Sequence, residues 1–193
     1  MKTLEEYLVL AEQAHGHMCA GQVLGVRLAL YGLKLLALAD PEGKDRQRLI
    51  TFIEIDRCAT DAVGVVTGCR LGRRSLKFRD FGKVAATFCD LETGRAVRVV
   101  ATETSRERAR EIHPEFADPK QQQMLAYREL PDEELFTTQW VRVRLSPEDL
   151  PGYKARPSFC AQCGEAVKFR REVVRGGSVL CRACAGESYY EPL

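Results

Sequence analysis

Apolar side chains in residues 3–14, TLEEYLVLAEQA, fall at Leu4, Tyr7, Leu8 and Ala11, the spacing of one helical face. Thr3 and Glu6 stand at capping-box distance at its start. A longer helix is expected over roughly 20–38, closed by Asp40-Pro41. Gly21, Gly25 and Ala29 recur on it every fourth residue, a stripe that another backbone can approach closely. The period then changes. RLITFIEID (48–56) is β-branched and apolar and reads as a buried strand, followed by a short helix over 58–68. SLKFRDF (75–81), KVAATFCD (83–90) and AVRVVAT (96–102) read as strands, the last two joined by a Glu-Thr-Gly-Arg turn. Helices are expected at 103–112 and 119–130, and a last strand at 139–146. This order predicts an α+β domain in which an antiparallel sheet packs with helices.

The prolines and glycine of LSPEDLPGYKARPS (145–158) mark a linker. The expected division is a core domain over 1–148 and a linker with a small C-terminal module over 149–193. A chain of 193 residues with 45% hydrophobic and 29% charged residues suits one full core plus an appendage. Net charge is +2, with seven Lys/Arg against four Glu from Pro151 onward, so the appendage is mildly basic at +3. That is thin support for nucleic-acid binding, which we do not expect. The N-terminus lacks a signal-peptide apolar region, and the stretch from Val23 to Ala39 is interrupted by Arg27 and Lys34. A cytoplasmic protein without a membrane span is expected. In a reducing compartment its eight cysteines should act as ligands or thiols.

Two CxxC pairs, Cys160/Cys163 and Cys181/Cys184, are separated by seventeen residues. Each pair brings two sulfurs to one metal, and four thiolates match tetrahedral Zn²⁺. KFRREVVRGGSVL between them reads as a hairpin turning at Gly176-Gly177, and the second pair can open a helix, as in a treble clef. Four protein ligands leave no open position, so this zinc is structural. A segment this small needs the metal for its folding free energy.

The loop HGHMCAG places two of the three histidines and a cysteine within five positions. Cys19 precedes a long helix, and Cys58 stands where a strand runs into one. Both are helix starts, where the dipole favours thiolate. Asp61, three residues on, shares a helical face with Cys58. The expected site joins Cys19, Cys58 and a histidine around a second metal, zinc by ligand type, or around a substrate. His17 is favoured as ligand because it is two residues from Cys19, with His15 supporting from behind. Cys19, Cys58 and Asp61 are the candidate catalytic residues, with Asp61 orienting the histidine or acting as base. Cys69 lies about 16 Å from Cys58 if 58–68 is helical, so it cannot share that metal and is assigned a supporting role. Cys89 reads as a space-filling strand residue.

HGHMCAGQVLGVR and EIDRCATDAVGVVTGCRLGRRSLKFRDFGKVAATF together resemble the E-subunit family of formylmethanofuran dehydrogenase over most of residues 10–105. The matching patterns are HGHxCPG, RCxxDAxxxxTGC and DxGKxAxTF, and the finger resembles one carried by some family members. Ala20 replaces the usual proline, and Arg73 a common lysine. The resemblance implies an α+β core, a homodimer, a cleft lined by the His/Cys loop and the Arg-Cys segment, and a link to methanogenesis. It also implies association with a molybdenum or tungsten enzyme, although the chain has no pterin or iron–sulfur pattern of a catalytic component. The stripe on the second helix adds to the dimer expectation. Three functions follow, in order: a metal-binding accessory protein; a zinc- or thiol-dependent enzyme acting on a small molecule; a regulatory module whose finger contacts nucleic acid or protein.

Overall fold

The first helix, α1 (Leu4–His15), begins at the Thr3/Glu6 capping box and buries Tyr7, Leu8 and Ala11. Gly16 stops it with a left-handed φ of 92°, a conformation that costs glycine little. A second helix, α2 (Ala20–Leu35), begins four residues further on and is buried over most of its length. In this computed structural model, residues 1–191 are described and the chain forms two units, the first over Met1–Arg144 and the second from Leu145 onward.

The first unit carries a five-stranded sheet of order β2-β1-β3-β4-β5, built from β1 (Leu49–Ile53), β2 (Leu76–Phe78), β3 (Ala85–Asp90), β4 (Ala96–Ala101) and β5 (Phe136–Val141). Antiparallel pairing runs from β1 to β5, with Thr51 opposite Phe88, Thr87 opposite Arg98 and Val97 opposite Trp140. One pair departs from the expected pattern. β1 and β2 are parallel, Thr51 opposite Leu76, because helix α3 (Cys58–Thr67) lies between them as a crossover. The last strand begins at Phe136 instead of 139, since it takes its length from pairing along all of β4. A short helix at Asp132–Leu135, unmarked by any periodicity, leads into it.

Helix α2 packs on the sheet where Gly32 leaves room for Phe88; a Cβ there would lie 2.2 Å from the ring. Arg27, which interrupts the apolar run, is consumed at the end of the helix Pro119–Glu129. It donates to the carbonyls of Tyr127, Arg128 and Leu130 and to Asp132. These are the carbonyls a helix terminus leaves unpaired. The small-residue stripe is also spent inside the chain. Gly25 rests on α3, where a Cβ would meet the Ala59 carbonyl oxygen at 2.6 Å, and Ala29 is fully buried. Gly25 and Ala29 of the stripe therefore serve packing within the chain.

In the second unit, the pair Ser158–Phe159 and Ala166–Val167 flanks the first CxxC. The hairpin Val173–Arg175 with Ser178–Leu180 turns at Gly176 and Gly177, both left-handed. The expected C-terminal helix is one wide turn, Ala183–Glu187, broken at Gly186 with φ 93°. Among the described residues no helix is long and apolar enough to cross a membrane.

Candidate metal centres

The sulfurs of Cys160, Cys163, Cys181 and Cys184 all lie within 4.8 Å of one another. Cys163 Sγ and Cys181 Sγ are 3.9 Å apart, close to the roughly 3.8 Å edge of a zinc–thiolate tetrahedron with bonds of about 2.3 Å. The local chain is shaped for this. Gly164 N–H donates to the Cys160 carbonyl across a left-handed glycine, and Cys184 N–H donates to Cys181 Sγ. Backbone N–H groups of Cys163 and Cys181 aimed at Cys160 hold its thiol down to about 6. Cys184 is pushed up to about 12 by Cys181 first, then by burial and the other sulfurs. Four thiols this close cannot all ionise alone, and a dication at their centre supplies the compensation.

The second group is His15, His17 and Cys19, whose ligand atoms again lie within 4.8 Å of one another. His15 ends α1, His17 follows the Gly16 turn, and Cys19 is the N-cap of α2. The turn at Gly16 folds the two imidazoles together, with ring centroids 4.7 Å apart. Asp61, on the first turn of α3, reaches His15 Nδ1 at 2.8 Å. That contact leaves Nε2 as the nitrogen for a metal and fixes the ring, as carboxylates behind ligating histidines do.

The grouping differs from the expected His17, Cys19 and Cys58. His15 joins the ligand cluster, where a supporting role was expected, and Asp61 orients His15 instead of His17. Cys58 lies outside the cluster, its sulfur and that of Cys19 both beside Gly21. Its thiol is not activated by the helix start. Burial first, and then the Cys19 sulfur, push it up, outweighing the α3 dipole. Cys69 supports neither centre. It is buried against β1, accepting from Thr51 Oγ1 at 3.5 Å and reaching the Leu49 carbonyl at 3.8 Å. Cys89 is buried on β3.

Gln22 was missed by sequence reasoning. It is fully buried, and its Nε2 donates to the Cys58 carbonyl at 2.6 Å, tying the first turn of α2 to that of α3. An uncharged polar residue next to the apolar run of the helix was the available signal. Two cavities adjoin the centre. One of about 460 Å³ is lined by Ala14, Ile53, Asp56, Asp61, Cys69 and Leu76 among others. The other, about 280 Å³, is bounded by Gly21, Arg57, Cys58, Arg106 and Tyr127.

Residues 14–137 match the family model described as FmdE, molybdenum formylmethanofuran dehydrogenase operon. The chain belongs to the FmdE family. That span begins just before the His15–Cys19 loop and ends in β5, so it contains the whole core centre and bears out the resemblance of the two sequence motifs. Residues 154–190 match the prokaryotic dksA/traR C4-type zinc finger, which with the four-sulfur cluster identifies the C-terminal centre as a structural Zn²⁺ site. A crystal structure of a tungsten formylmethanofuran dehydrogenase FmdE-like protein from Syntrophus aciditrophicus superposes with a TM-score of 0.64 at 26% identity. The match covers 98% of this chain and 96% of that one. A probable S-adenosyl-L-methionine-binding protein of Archaeoglobus fulgidus is 32% identical over 97% of this chain. The chain spans 54% of that relative's length.

Proposed function

We propose that this FmdE-family chain is a metal-binding accessory protein that holds a second metal ion, zinc by ligand type, on His15, His17 and Cys19. The observation that carries this reading is the convergence of those three ligand atoms within 4.8 Å, with Asp61 locking the His15 ring. Two imidazoles and a thiolate suit a borderline cation, and three protein ligands leave a position for water or an exogenous group. A metal there would act as a Lewis acid. The chain's own part is to orient His15 through Asp61 and to hold the loop between α1 and α2. The family name supports association with a molybdenum or tungsten enzyme and a role connected with methanogenesis, and we propose that the chain works as a homodimer.

Metal analysis of protein purified without added metal tests the reading. About two metal ions per chain are expected in the wild type, and about one in both Cys19→Ser and Cys163→Ser. A wild-type chain holding one, lost with Cys163→Ser and unchanged by Cys19→Ser, would refute the core site.

A second reading, a metal-dependent enzyme acting on a small molecule, is favoured by one feature. Asp61, which orients His15, also lines the larger cavity, so a molecule bound there would lie beside the centre. The name of the Archaeoglobus relative makes S-adenosyl-L-methionine the first molecule to titrate.

A further inference from the structure

Four of the eight cysteines belong to the finger, and Cys69 and Cys89 are buried. Cys19 and Cys58 are neither. Both are half-buried, and their sulfurs flank the same backbone position, Gly21. Gly21 makes this meeting possible. A Cβ at that position would lie 3.1 Å from Cys58 Cβ, 3.7 Å from Cys19 Sγ and 3.8 Å from Cys58 Sγ. Behind the pair, α2 and α3 approach each other closely at Gly25 and Ala59, which keeps the two helix starts together. In front, Cys58 lines the 280 Å³ cavity with Arg57 on its rim. That space is ample for a peroxide. Only one partner of the pair is in the metal cluster: Cys19 belongs to it and Cys58 does not.

We propose that Cys19 and Cys58 form a dithiol that a hydroperoxide converts to a disulfide, and that this oxidation discharges the core metal. Cys58, the thiol on the cavity, attacks the peroxide and gives up its proton to the departing oxygen. A sulfur–oxygen bond forms, the oxygen–oxygen bond breaks, and the peroxide leaves as an alcohol or water, with Cys58 now a sulfenic acid. Cys19 sulfur attacks Cys58 sulfur, the sulfur–oxygen bond breaks and its oxygen departs as water with the remaining proton. Two thiols and one hydroperoxide thus give one disulfide, one alcohol and one water. A disulfide sulfur is no longer a thiolate ligand, and two imidazoles remain to hold the ion. The fourth side chain at the centre, Asp61, is committed to His15. The second half of the proposal rests on the metal reading above; the disulfide does not.

The full-length chain, loaded with zinc, is treated with about one equivalent of hydrogen peroxide and divided. One part is alkylated and digested without reduction for mass spectrometry, and the other is mixed with a chromogenic zinc chelator. The expected result is a Cys19 peptide joined to a Cys58 peptide, lighter by two hydrogens than their sum. About one zinc per chain should be released and regained on adding dithiothreitol. Cys58→Ser and Cys58→Ala should each abolish the link and keep the core zinc through the same treatment. Recovery of Cys19 and Cys58 unlinked, while the finger cysteines oxidise, overturns the proposal. The link formed while the core zinc stays bound overturns the discharge. The link formed in a chain that carries zinc only in its finger supports the dithiol and refutes the metal reading.

Discussion

Gly25→Ala adds one methyl group where α2 crosses α3. The new Cβ would lie 2.6 Å from the Ala59 carbonyl oxygen, 2.7 Å from Ala59 Cα and 2.8 Å from Ala62 Cβ. Two of these atoms are backbone and the third is fixed to it, so no side chain can rotate away. Relief requires the helices to part by roughly 0.8 Å in a close-packed interior. Overpacking of this kind costs about 1–3 kcal/mol, and alanine returns up to about 1 kcal/mol through its higher helix propensity. The net expectation is a loss of about 1–2 kcal/mol, or roughly 2–8 °C in Tm for a domain of this size. Gly64→Ala is the matched control. Its Cβ would meet only the Cys69 carbonyl oxygen, at an ordinary 3.5 Å, so propensity alone should act and stabilise by about 0.5–1 kcal/mol. Urea denaturation followed by circular dichroism reads both signs, and sedimentation should show the same assembly state for both variants. If Gly25→Ala proves as stabilising as Gly64→Ala, the helix crossing is not the tight contact described. If it changes the assembly state while leaving the fold intact, the stripe belongs to an interface between chains.

Asp61→Asn removes the charge behind His15 while keeping its shape. It should weaken zinc at the core centre by about 10- to 100-fold and leave the finger's zinc unchanged, as read by competition with a fluorescent chelator; equal affinity would remove Asp61 from the centre. Asp90 is held near 2 chiefly by its hydrogen bonds with Arg48, which meets it bidentately at the base of the β3–β4 turn. A carboxyl depressed in the folded state stabilises above its unfolded value of about 3.9, and that contribution fades as pH falls toward 2. Asp90→Asn should cost about 2 kcal/mol near neutrality and flatten the fall of stability between about pH 4 and pH 2; parallel wild-type and variant curves over that window would contradict the assignment.

Helix α1 was legible because capping and apolar spacing are local. Thr3, Glu6 and the Tyr7/Leu8/Ala11 face act over little more than two turns of the chain. The zinc finger was legible for the same reason, since a CxxC turn places its sulfurs within a few residues and the chemistry of four thiolates admits few metals. Family membership could also be read from two motifs in order. The parallel β1–β2 pair was hidden because strand direction depends on how a crossover packs, which neither strand encodes. The fate of the glycine stripe was equally hidden. Small residues at every fourth position permit a close approach, and only the tertiary structure shows that α3 of the same chain takes it. The core centre lay between these cases. Its residue types were evident from HGHMCAG and RCATD, but their partnership was not. His15 became a member of the cluster, with Asp61, forty-six residues away, holding its ring, and Cys58 stayed outside it although its sulfur lies with that of Cys19 beside Gly21. Spacing along a loop measures how far side chains can reach; which atoms converge is settled by the angle at which α1, α2 and α3 pack.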